Sequence, residues 1–279
     1  MHRGRTLSLS FPPFTPWVKR IIIACAAVYF LQAVLGRFAP GAEYLFERYY
    51  GALVPVLVLH GFIWQLVSYS LLHAGVWHLL INMLMLWMFG AQLEQDWGSK
   101  KFLEFYVFCT VGAALSTIAV AYSPIPGVSP TTATIGASGG VFGVLIAFGM
   151  LYGDQEIFMF PLPFSMKAKY MVAIMIFLVV LATFQPTPSG VANFAHLGGL
   201  LFGFLYIKFL PKRGLMGAVS ERYFQMRNDY YRAKRRRAAR KFQVYMRDHG
   251  NVPGRFDEYG NYIPPSDKQD GKGKSGWVN

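Results

Sequence analysis

The sequence predicts an all-α membrane protein, six transmembrane helices packed as one bundle, with both termini on the cytoplasmic side. Three observations carry this prediction. Of the 279 residues, 54% are hydrophobic and only 15% charged, against roughly 25% charged in soluble domains. Six nearly uncharged runs approach the ~20 residues needed to cross a hydrocarbon core of about 30 Å. Lys and Arg concentrate at alternate connections, as cytoplasmic segments require.

The first run, 21–35, follows Arg3, Arg5, Lys19 and Arg20. No small-residue cleavage site comes after it, so it reads as a retained span and not a signal peptide. A long aromatic-rich loop holding only Arg37 and Arg48 leads to the second run, 77–93, and Lys100 and Lys101 separate that from the third, 102–122. The uncharged "SPIPGVSPTTATIGA" is rich in Pro, Thr and Ser and reads as a loop dipping into the protein. The fourth run, 138–152, then starts below the membrane surface. Lys167 and Lys169 precede the fifth, 170–184, and "QPTPSG", without Lys or Arg, joins it to the sixth, 191–210.

The basic residues thus mark the N-terminus and the second and fourth connections as cytoplasmic. Three regions follow: a cytoplasmic segment 1–20, a six-helix domain 21–210 and a basic, partly flexible cytoplasmic tail 211–279. The expected location is a bacterial inner membrane. The formal charge of +13 comes mostly from the tail, where "KRGLMGAVSERYFQMRNDYYRAKRRRAARKFQVYMRDHG" interleaves cations with aromatic rings. Such a segment suits contact with anionic membrane lipid, a reading weighted above nucleic acid. The final 29 residues carry no apolar periodicity and read as flexible. Cys25 and Cys109 fall inside apolar runs as small packing residues. There is no metal-spaced His/Cys cluster, so no metal is expected.

Runs two, four and six all travel from outside to inside, which puts their first residues at one outer level. Near those starts stand His78 and Asn82 in "GVWHLLINMLMLW", Ser138 in "IGASGG" and His196 in "ANFAHLGGLLFGF". Polar side chains converging inside a membrane bundle are a functional hypothesis by default. His78 and Asn82, four apart, share one helix face. Ser138, Gly139, Gly143 and Ala147 make a strip of small residues on run four, matched by His196, Gly199 and Gly203 on run six. Such strips let helices approach closely, and packing them together brings Ser138 to His196.

A serine hydroxyl becomes nucleophilic when a neighbouring base takes its proton, and neutral His is the usual base. All fourteen carboxylates lie in loops, tails or span ends, so the arrangement is a dyad without the acid of a soluble triad. His78, Asn82 and the Ser138 N–H are the available donors for an oxyanion. Ser116, Thr117 and Gln32 lack such company and read as packing residues, and His60 and His73 as structural ones.

With "LLHAGVWHLLINMLMLWMFGAQLEQDWGS", "GASGG" and "AHLGGLLFG" in this order, the chain resembles the rhomboid family of intramembrane serine proteases from about Trp64 to Leu210. The resemblance implies a six-helix bundle with a water-filled cavity open to the outside. It also implies Ser138 as nucleophile, His196 as base, and His78 and Asn82 at the oxyanion. Implied substrates are membrane-anchored proteins cut in or beside a transmembrane helix, and no cofactor is implied. Two positions depart from the commoner pattern: Gln65 follows Trp64 where Arg is frequent, and Phe142 stands where Tyr is frequent. A non-proteolytic relative that binds membrane clients is the alternative, although such relatives typically lack the serine or the histidine. A small transporter would instead place its polar groups near the midplane.

Overall fold

A computed structural model describes residues 12–124, 129–158, 165–183, 190–209, 214–248, 255–256 and 262–263. The chain separates into two compact units, Met1–Leu215 and Met216–Asn279. In the first, every apolar run becomes a helix. α1 spans Pro16–Phe38. Its first-turn N–H groups have no partner within the helix, and the Glu94 carboxylate supplies one: it accepts from Trp17 N (2.9 Å), Val18 N (3.0 Å), Thr15 Oγ1 (2.5 Å) and Ser99 Oγ (2.6 Å). That carboxylate is buried, and its charge complements the positive end of α1. The helix therefore starts five residues ahead of the predicted run.

The long loop carries short helices that hydropathy does not announce: α2 (Pro40–Leu45), a π-helical turn Phe46–Gly51, α3 (Pro55–Leu59), α4 (Gln65–Ser68) and a 3₁₀ turn Tyr69–Leu71. Buried amides hold them. Gln65, fully buried, accepts from Val54 N (3.0 Å) and donates to Arg48 O (2.9 Å). Gln32, read from the sequence as a packing residue, is instead a polar clamp: it donates to Glu47 Oε1 (2.7 Å) and accepts from His73 N (3.1 Å).

The second run is α5 (Val76–Met85), a π-helical turn Leu86–Gly90 and α6 (Ala91–Trp97) in succession. Gly98, at φ +80°, then turns the chain into α7 (Ser99–Ala121). α8 is Ser138–Leu151. An antiparallel hairpin of β1 (Glu156–Phe158) and β2 (Ser165–Lys167) leads to α9 (Ala168–Thr183), and α10 is Gly190–Phe209. Among the described residues, Pro16–Phe38, Val76–Trp97 and Ser99–Ala121 are long and apolar enough to cross a membrane, while Ser138–Leu151 and Ala168–Thr183 are shorter apolar helices. The bundle core is built on Leu86, Leu93, Phe102, Phe105 and Phe148, with Cys25 and Cys109 free and buried among them.

α11 (Gly214–Asp248), all but its first two residues in the second unit, occupies the basic-aromatic stretch. Of the segment read as flexible, Arg255–Phe256 and Tyr262–Ile263 form a short antiparallel pair, β3 and β4, and the rest lies outside the described residues.

Candidate active site

Small residues let α8 sink between α7 and α10. A Cβ at Gly140 would stand 2.7 Å from Thr110 Oγ1 and from Tyr106 Cε2 on α7, and one at Gly139 would stand 2.6 Å from Ala113 Cβ. On the α10 side the approach is backbone to backbone. A Cβ at Gly199 would collide with the Gly139 carbonyl, and one at Gly203 would lie 2.9 Å from the Cα and O of Gly143. The two predicted strips meet.

That packing sets Ser138, at the first position of α8, beside α10. His196 Nε2 lies 2.8 Å from Ser138 Oγ. The Phe142 ring, one turn along α8, leans on the imidazole with centroids 4.7 Å apart at 36°. The ring at position 142 thus packs on the histidine without needing a hydroxyl. The pair can exchange a proton along one hydrogen bond, the geometry a general base requires.

The turn before α8 places the third group. Gly136 has φ +127°, a conformation L side chains rarely adopt. Its missing side chain opens a space: a Cβ there would lie 2.8 Å from His78 Cε1, 3.0 Å from Nε2 and 3.5 Å from Ser138 Oγ. The Ala74 N–H donates to His78 Nδ1 (3.4 Å), so in the neutral ring the proton sits on Nε2. His78 thus presents an N–H toward the space beside the hydroxyl. Ser138 is also the first residue of α8, so its hydroxyl stands at the positive end of that helix, where first-turn N–H groups have no helical partner.

Asn82 is buried one turn along α5, and its Nδ2 donates to the His78 carbonyl (2.8 Å). An amide nitrogen carries two N–H bonds, and this contact uses one. The structure therefore brings Ser138, His196 and His78 around Gly136, and sets Asn82 beside them on the His78 face without a bond to the serine.

The loop is stitched to this turn. Tyr69 accepts from Gly136 N (2.9 Å) and donates its hydroxyl to Thr110 O (2.8 Å), and Leu53 and Thr134 exchange both backbone hydrogen bonds (2.9 Å each). Tyr69 escapes a reading by sequence, because its hydroxyl and carbonyl partners lie 41 and 67 residues away. His73 is buried, with its ring edge-on to His78 at 5.2 Å and its Nδ1 3.3 Å from Leu71 O. Burial first, then His78, push its pKa down to about 4. Among the described residues no group of His, Cys, Asp or Glu could hold a metal ion.

A family model described as "Rhomboid domain" matches residues 60–213. "RHOMBOID-like protein 4" of Arabidopsis thaliana is 35% identical over 159 residues, 57% of this chain and 37% of its own. "Rhomboid protease GluP" of Bacillus subtilis is 31% identical over 173 residues, 60% of this chain and 30% of its own. "Rhomboid protease AarA" of Providencia stuartii is 29% identical over 195 residues, 66% of this chain and 69% of its own. The match thus spans about a third of the length of the first two. Plant and bacterial relatives together do not single out the bacterial inner membrane expected above.

Proposed function

The chain belongs to the rhomboid family, and we propose that it is an intramembrane serine endopeptidase cutting the transmembrane segments of membrane-anchored proteins. Relatives named as proteases support hydrolysis at the level of the family. The observation that carries the reading to this chain is the 2.8 Å contact between His196 Nε2 and Ser138 Oγ.

In this mechanism Ser138 Oγ attacks the scissile carbonyl carbon while its proton passes to His196 Nε2. The carbonyl oxygen becomes an oxyanion in the space beside Gly136, where the Ser138 N–H and the His78 Nε2–H stabilise it, with Asn82 adding its second N–H. Each such donor contributes about 2.7–4 kcal/mol to the transition state. The imidazolium then protonates the leaving amide nitrogen, which leaves an ester on Ser138. Water, its proton taken by His196, attacks the ester; the bond to Ser138 Oγ breaks, the imidazolium returns the proton to that oxygen, and the new carboxyl end is freed.

The same proposal sets the domain in the membrane as six spans, α1, α5–α6, α7, α8, α9 and α10, with both termini cytoplasmic. The alternation of Lys and Arg between connections supports it.

The decisive experiment reconstitutes the purified chain in liposomes with a single-span substrate. Ser138→Ala and His196→Ala should each lower turnover by about 10⁴-fold or more, and a fluorophosphonate should label Ser138 only while His196 is present. Unchanged cleavage by Ser138→Ala would overturn the mechanism. A folded wild-type chain that binds the substrate without cutting or labelling would favour the client-binding alternative.

A further inference from the structure

We infer that α11 is a lipid-surface helix, docking its aromatic face on the anionic headgroups of the leaflet beside which the last span ends. This holds whether or not the chain is a protease. Between Tyr223 and Phe242 the helix carries eight Lys or Arg and a single acid, Asp229. Such an excess is unstable against a neutral surface and favourable against an anionic one.

The rings are not scattered. At helical spacing Tyr223, Tyr230 and Tyr245 fall on one face with Arg227, Lys234 and Lys241, and Phe224, Tyr231 and Phe242 form the adjoining ridge. All six rings are 45–64% exposed, although an aromatic face is what a soluble helix would bury first. Every residue from 223 to 242 except Ala239 is exposed, so rings and cations alike are accessible to a surface.

The chemistry of that face suits a headgroup layer. Tyr and Phe rings flanked by long cations match the interface, where a ring enters the acyl boundary and the cation reaches a phosphate. Arg227 lies over the Phe224 ring at 4.9 Å. A shallow recess lined by Asn228, Tyr231, Lys234 and Arg235 sets two cations and an amide where one phosphate can be shared.

Connectivity chooses lipid over nucleic acid. Only residues 210–213 separate α10 from α11, and four residues reach at most about 14 Å. A helix on so short a tether samples the membrane surface at high effective concentration.

The test reconstitutes the full chain in nanodiscs of neutral phosphatidylcholine or of phosphatidylcholine with phosphatidylglycerol, and measures tryptic cleavage between Arg232 and Lys241. Anionic discs should slow cleavage by about tenfold or more, since each Lys or Arg near such a surface contributes roughly a fivefold preference. High salt should reverse the protection. So should Tyr230→Ser with Tyr231→Ser, which leaves both the charge and the tryptic sites intact. Inorganic phosphate in neutral discs should protect nothing. Equal cleavage in both discs overturns the proposal, as does protection by an RNA oligonucleotide that exceeds that of anionic lipid.

Discussion

Gly136 shows how little of a site's requirement is chemical. It donates its N–H to Tyr69, lies in the left-handed half of conformational space, and leaves empty the volume between His78 and Ser138. Gly136→Ala should reduce peptide-bond turnover by at least about 100-fold, the scale of one lost oxyanion donor. It should also cost about 1–3 kcal/mol through backbone strain, and comparing turnover with thermal unfolding of the variant separates the two. Gln65→Leu acts on stability. It strands the buried Val54 N–H and a loop carbonyl, each costing about 1–3 kcal/mol, so the melting temperature in detergent should fall. His73 gives a pH dependence. Its folded pKa of about 4 lies below the unfolded 6.5, so the unfolded chain binds the extra proton. Stability is then full above 6.5, falls as pH drops toward 4 and levels below that. His73→Gln should flatten that slope in melting curves taken across the window. Ser138, His196, His78 and Asn82, the proposed site, were legible in the sequence as polar groups near the starts of three apolar runs. Gln65 stood out only as a departure from Arg, and Tyr69 not at all, because both act on backbone groups that become neighbours once the loop has folded.

At the scale of elements, the contact between α8 and α10 decides whether a site exists. The Gly199 Cβ position is blocked by the Gly139 backbone, which has no rotamer to yield. Gly199→Val must therefore push the helices apart. It should cost about 1–3 kcal/mol as overpacking does, and should lower activity by more than that loss explains, since the hydrogen bond between serine and histidine spans the same seam. Gly41→Ala, with open space around it, is the control and should stay within about 0.5 kcal/mol; melting temperature and turnover measured together check both. Helix positions followed from hydropathy because burial and lipid exposure select the same residues. Their ends did not: a window that stops at charge closes the second run at residue 93, whereas Glu94 continues that helix and caps another 77 residues away. The loop helices α2 to α4 have four to six residues each, too short for a period to register.

For the whole molecule, orientation is the sharpest expectation. With single cysteines and a membrane-impermeant maleimide, Thr131→Cys should label from outside sealed cells, and Lys100→Cys and Asn228→Cys only after lysis. Labelling of Asn228→Cys in intact cells would remove the cytoplasmic tail. The ring of Phe142 against His196 has one further consequence. The described partners of that imidazole are a hydroxyl and a hydrocarbon face, so its aim is set by how tightly two helices press together. Warming that loosens the seam releases the imidazole while every helix is still intact. Heat inactivation should therefore come several degrees below the loss of helical signal, at a temperature that shifts with the lateral pressure of the surrounding lipid.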